Sequence, residues 1–160
     1  MIPERVQRVL QANGLAAREF APGSTATSVL AAQQLGVKVS QIAKSLLFIG
    51  KDGRFFLVVC PGDRRVSSSK LKVVTAVKTR MAAAEEAYAA TGFGPGGVCP
   101  FGLDPGIRIL VDKSLSAFQT IYPAAGTDAS GVPMTYAALM NITGAAEGDF
   151  LADPAEEKVE

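Results

Sequence analysis

The chain contains no histidine and no tryptophan. Without an imidazole it can build neither a Ser-His nor a Cys-His relay, nor a metal site that depends on histidine, so most hydrolase mechanisms are excluded. Cysteine is scarce too. Cys60 and Cys99 stand alone in apolar or Gly/Pro surroundings, which suggests neither a zinc site nor a disulfide framework. Reduced thiols are the default, and no metal or cofactor is expected. No window approaches the roughly 18 uninterrupted apolar residues of a membrane span. Met1 to Asn13 carries charges where a signal peptide needs an apolar stretch. The expectation is a soluble cytoplasmic protein with no membrane partner.

What is present suits one compact domain: 160 residues, 48% of them hydrophobic and 19% charged. The net charge of +1 hides an asymmetry, because Glu147 to Glu160 holds six acids and one lysine. We therefore expect a domain over residues 1–146 and an acidic, frayed tail over 147–160. Within the domain, Pro61 to Arg80 gathers Arg64, Arg65, Lys70, Lys72, Lys78 and Arg80 beside a single acid, Asp63. Such a cluster is either a phosphate-binding face or ordinary solvated surface, and charge alone leaves both open.

Pro3, apolar Val6, Val9 and Leu10 at helical spacing, and Gly14 predict an amphipathic helix over about 3–13. A short strand is expected over 16–20, and a second helix over 28–35 with a Thr27 or Ser28 cap and a Gly36 stop. Two apolar runs, 45–49 and 54–60, flank Asp52-Gly53 and read as a β-hairpin covered on both faces. Further helices are expected over 70–75, 82–90 and 136–142. Strands are expected over 107–111, 117–122 and 132–134. Helices and strands mix without regular βα alternation, so the fold class is α+β with a mixed, largely antiparallel sheet.

Three places could carry chemistry. Lys44 joins a polar turn to an apolar strand, where an ammonium must reach water, a carboxylate or an anionic ligand. Gly92 to Gly102 (GFGPGGVCPFG) holds five glycines and two prolines in eleven residues. Successive backbone N–H groups there could converge on one oxyanion, or the loop could be a tight crossover. Neither Walker nor GxGxxG spacing occurs, so familiar nucleotide-phosphate binding is unsupported. Asp112 could orient a ligand amine or cap the following turn. The Ala124-Ala125-Gly126-Thr127 turn suits either a close-fitting wall or an ordinary turn.

These pieces together resemble the YbaK family of aminoacyl-tRNA editing domains, which also occurs in or beside prolyl-tRNA synthetases. The similarity runs in order through residues 28–36, Gln41-Ile-Ala-Lys-Ser-Leu46, Gly92 to Gly102, Val111-Asp-Lys-Ser-Leu115, Ala124 to Thr127 and 139–144. Each motif is weak alone; the ordered set is fairly specific. The resemblance implies a YbaK-like fold and a trans-editing deacylase that hydrolyses the ester of a mischarged tRNA, using water or a substrate ribose hydroxyl. It implies Lys44 as the catalytic-pocket lysine, Gly96 and Gly97 as backbone donors, and Val98, Cys99, Pro100, Asp112, Ala125, Gly126 and Thr127 as substrate contacts. Arg64, Arg65, Lys70 and Lys72 become candidates for the tRNA backbone, with a prolyl-tRNA synthetase as a possible partner and no DNA. Two departures stand out: the turn reads AAGT rather than Ser-Ala-Gly, and Leu103 replaces a histidine often found in relatives. The first argues against the cysteinyl-tRNA(Pro) specificity of one family branch, and the second implies a different pocket wall. A noncatalytic tRNA- or synthetase-binding module of the same fold is the alternative.

Overall fold

The computed structural model describes residues 1–153. Its elements, in chain order, are α1 (Glu4–Ala12), β1 (Arg18–Glu19), α2 (Ser28–Leu35), β2 (Ala43–Gly50), β3 (Phe55–Pro61), α3 (Ser68–Thr75) and β4 (Thr79–Met81). They continue with α4 (Ala84–Thr91), β5 (Ile107–Asp112), β6 (Ser130–Gly131), α5 (Tyr136–Thr143) and β7 (Ala146–Gly148). Five strands form one mixed sheet in the order β4-β2-β3-β5-β7, and β1 pairs with β6 in a small antiparallel ribbon. The architecture is α+β, as the sequence implies. The sheet is half antiparallel: β2 pairs β3 and β4 in that sense, while β5 runs parallel to both β3 and β7.

Local chemistry accounts for most boundaries. Thr27 accepts the Leu30 N–H at the start of α2, and Gly36 ends it in a left-handed conformation (φ 72°) that costs glycine nothing. Ser67 and Thr135 cap α3 and α5 in the same way. The β2–β3 hairpin turns through Gly53 at φ +89°. Residues Phe56 to Cys60 of β3 are all buried, because side chains on alternate faces enter different clusters. Leu57 and Val59 face Val6, Leu10, Leu47 and Val111, whereas Phe56 and Val58 face Phe48, Leu71, Leu110 and Phe150.

Four expectations change. Residues 117–122 are not a strand: the Asp112 carboxylate caps a 3-10 turn over Lys113–Ala117. Only Ile121 and Tyr122 then make isolated bridges, to Met134 and Ile42. Over 132–134 only Met134 bridges, since Pro133 has no N–H to donate. The 16–20 strand shortens to two residues. The fourth correction concerns the tail. Ala146–Gly148 adds a parallel strand to β5, Phe150 is 1% exposed, and Leu151 bridges Val66. Burying Phe150, Leu151 and Ala152 holds residues 146–152 in the fold despite the acids between them. Residues 154–160 of the expected tail lie outside the described residues.

Candidate functional site

A cavity of about 360 Å³ opens between β2, the N-terminal turn of α2, the 93–98 loop and the turn that precedes β6. Small apolar residues, Ala31, Ala82, Ala87, Val98 and Ala124, line part of it, beside the larger Phe93, Met81 and Tyr122 and the polar Thr25, Thr27 and Ser28. Glycines create this close assembly. A Cβ on Gly97 would stand 2.8 Å from the Gly126 carbonyl oxygen, and one on Gly96 would stand 2.9 Å from the Ala26 Cα. Gly126, at φ +90°, would in turn place a Cβ 2.9 Å from the Phe93 ring. Loop, turn and the segment before α2 therefore touch backbone to backbone. Hydrogen bonds lock the turn: Thr25 N–H donates to Asp128 O (2.7 Å), Ser130 N–H to Thr25 Oγ1 (3.0 Å), and Ala125 N–H to Ser130 Oγ (3.1 Å).

Arg5, on α1, holds both ends of the glycine loop. Its guanidinium donates to Gly102 O at 2.5 Å and to Thr91 O, and lies 4.1 Å from the centre of the Phe93 ring. No local sequence signal marks Arg5 for this, since the partners are nearly a hundred residues away.

Lys44 sits on β2 opposite Cys60. Its ammonium donates to Arg64 O at 2.5 Å and more weakly to Gly62 O at 3.4 Å, both in the loop leaving β3. Carbonyl dipoles thus satisfy the charge without a carboxylate. Lys44 borders the cavity and also a second, wider groove of about 690 Å³, whose wall includes Arg65, Ser67, Ser69, Thr79 and Arg80.

The other expected residues separate into three groups. Lys44, Gly96 and Val98 line the cavity; Ala125, Gly126 and Thr127 form the turn behind it. The Gly97 N–H is already donated to Gly94 O at 3.0 Å, so Gly97 serves as a spacer and not as a free donor. Pro100 is buried behind the loop, and Cys99 is fully buried with its thiol 3.9 Å from Phe101 O. Burial pushes the Cys99 thiol up to about 12, and the Cys60 thiol likewise despite the nearby Lys44 charge. Asp112 is 2% exposed and does not reach the cavity wall: its oxygens accept from Ser114 and from the Phe150 N–H (2.8 Å). It is a cap, one of the two roles its position in the sequence suggests, and not the substrate contact that the family resemblance implies.

The basic segment is partly occupied by the chain itself. Arg64 donates to Ala152 O (2.8 Å), and Lys70 pairs with Asp149 (3.2 Å) and Asp153 (3.9 Å). Lys72 is exposed on α3 and Arg65 lines the groove. No group of three or more potential metal ligands occurs among the described residues. No helix among them is long and apolar enough to cross a membrane.

Fold and cavity together define an editing-domain architecture, and comparison with known proteins bears this out. The profile of the aminoacyl-tRNA editing domain matches residues 23–142, and the chain belongs to that family. It is 40% identical over 112 residues to YwhH, an uncharacterised protein of Bacillus subtilis, covering 70% of this chain and 71% of that one. It is 42% identical over 84 residues to the proline–tRNA ligase of Bacillus licheniformis, where the match spans 52% of this chain but 14% of the ligase. Among solved structures, a proposed trans-editing enzyme for prolyl-tRNA synthetase superposes with a TM-score of 0.84 at 34% identity, over 93% of this chain and 96% of that one.

Proposed function

We propose that this chain is a trans-editing aminoacyl-tRNA deacylase. The observation that carries the reading is a glycine-built cavity, in the family's matched segment, beside Lys44 in a chain with no histidine. An aminoacyl ester is already an activated acyl group, so its hydrolysis needs an attacking oxygen and a stabilised oxyanion and no protein nucleophile. Water, oriented by the neighbouring ribose hydroxyl, attacks the ester carbonyl; the bond to the ribose oxygen breaks, and that oxygen takes up the proton that the water gives up. Backbone N–H groups of Gly96 and Val98 are the candidate oxyanion donors, each worth about 2.7–4 kcal/mol in a well-studied hydrolase. Lys44 would hold the terminal nucleotide's phosphate or the ester oxygens, exchanging its carbonyl partners for the ligand.

The close walls suit a sieve for small acyl groups. A synthetase discriminates a methylene only about 10- to 200-fold, so a second site must remove what its own pocket admits. Arg64, Arg65, Lys70 and Lys72 would contact the tRNA backbone, Lys70 exchanging Asp149 and Asp153 for phosphate. A prolyl-tRNA synthetase is the proposed partner, because the ligases carry the related segment.

A panel of mischarged tRNAs tests the reading. Hydrolysis of at least one, lost in Lys44→Ala, is expected. A tRNA complex that hydrolyses none would favour a noncatalytic binding module.

A further inference from the structure

Strand β2 has an open edge at one residue. Along β2, Ala43 donates its N–H to Tyr122 O (3.1 Å), and Leu47 accepts from the Ala82 N–H (2.9 Å). Both bonds point away from β3, toward the β4 side. Main-chain groups alternate along a strand, so Ser45, midway between these two residues, also aims its N–H and C=O away from β3. Among the described residues no strand meets it there. Pairing with β4 covers Phe48 to Gly50, and Ala84, which the register would set opposite Ser45, already begins α4.

The gap faces the cavity. All six residues from Ile42 to Leu47 contribute to its wall, although their side chains alternate between the two faces of the sheet. An edge presented backbone-first accounts for this. Ser45 Oγ is, among the described residues, the one buried side-chain nitrogen or oxygen without a hydrogen-bond partner. Ser45 thus concentrates a donor, an acceptor and an unpaired hydroxyl at one point of the wall.

We infer that this edge binds the main chain of an α-aminoacyl group. The Ser45 N–H donates to the ester carbonyl oxygen, and the substrate's α-ammonium donates to the Ser45 carbonyl. The aminoacyl unit then completes one antiparallel residue pair, as an added strand does on an exposed edge. Recognition of this kind ignores the side chain, which leaves amino-acid selection to the alanine-lined walls. The inference rests on the deacylase reading for its ligand, and it extends that reading from the oxyanion to the amine.

Binding of stable amides separates the two. The alanyl and propanoyl amides of 3′-amino-3′-deoxyadenosine differ only in the α-amino group, and neither carries the labile ester. We expect the alanyl amide to bind the intact protein about 10- to 100-fold more tightly, the worth of one charge-assisted hydrogen bond. Ser45→Pro removes the N–H and no sheet hydrogen bond, and should weaken both amides about tenfold while keeping their ratio. Equal affinity for the two amides, or no saturable binding of either, overturns the inference whether or not the variant folds. Amide preference without hydrolysis of any aminoacyl-tRNA would support the edge and remove the deacylase instead.

Discussion

The glycine loop over 92–102 and the basic segment over 61–80 both stand out in the sequence, one by shape and the other by charge. In the fold they behave oppositely. The loop carries no charged residue, yet contacts of 2.8–2.9 Å expected for added Cβ atoms leave no freedom at Gly96 or Gly97. The basic segment carries six cations, and its Arg64 and Lys70 are engaged by Ala152, Asp149 and Asp153. Backbone geometry is fixed by packing and works at any ionic strength, whereas exposed charge pairs contribute little and yield to salt or to a better partner. On the proposed function, chemistry belongs to the loop and tRNA affinity to the basic segment.

The largest effect should come from Gly97→Val. Its Cβ would meet the Gly126 carbonyl, which cannot move without dragging the turn behind the cavity. We expect a loss of at least ~100-fold in single-turnover deacylation, on the order of losing an oxyanion donor, together with a lowered thermal midpoint. A folded, active variant would show that the loop tolerates displacement. Lys44→Ala should lose a comparable amount of activity, but with a midpoint within a few degrees of the parent, measured by calorimetry. Retained activity removes Lys44 from the mechanism.

Arg5→Ala tests whether the loop is held from outside. Removing a guanidinium that bridges Thr91 and Gly102 should cost roughly 1–3 kcal/mol of stability and lower kcat more than it raises KM. Arg5→Lys should fail to restore it, since one ammonium cannot span both carbonyls. Smaller still is the charge effect. Reversing Arg64, Arg65, Lys70 and Lys72 should weaken tRNA binding and flatten its salt slope by about 0.7–0.9 per lost contact. An unchanged slope returns the segment to solvated surface. The smallest effect is expected at the thiols. With both near 12, iodoacetamide at pH 8 should alkylate neither, and Cys99→Ser should keep most of the activity. A trapped thioester at Cys99 would instead demand covalent catalysis.

What could be read in advance follows the range of the interactions. Helix α2 was legible to the residue because its cap, Thr27, and its stop, Gly36, are local. The β2–β3 hairpin was legible because Asp52-Gly53 separates two apolar runs. Strand β7 was not, since Ala-Glu-Gly is neither apolar nor β-prone and pairs only because Phe150 anchors the segment beyond it. At the site, Lys44 and the glycine loop were visible as residue types in unusual settings. Asp112 had the right chemistry in the wrong direction, its carboxylate turned to Ser114 and Phe150. Arg5 and the open edge at Ser45 depend on where β4, Tyr122 and the loop ends meet in space, which no local pattern encodes.

One measurement tests the division between loop and charge most directly: single-turnover deacylation of a mischarged tRNA across a range of protein concentrations. Gly97→Val and the quadruple charge reversal would be compared with the parent. The account predicts that the reversal shifts the concentration needed for half-maximal rate and leaves the plateau within about threefold. Gly97→Val should instead collapse the plateau at every concentration. A plateau lost in the charge reversal and kept in Gly97→Val would contradict the account.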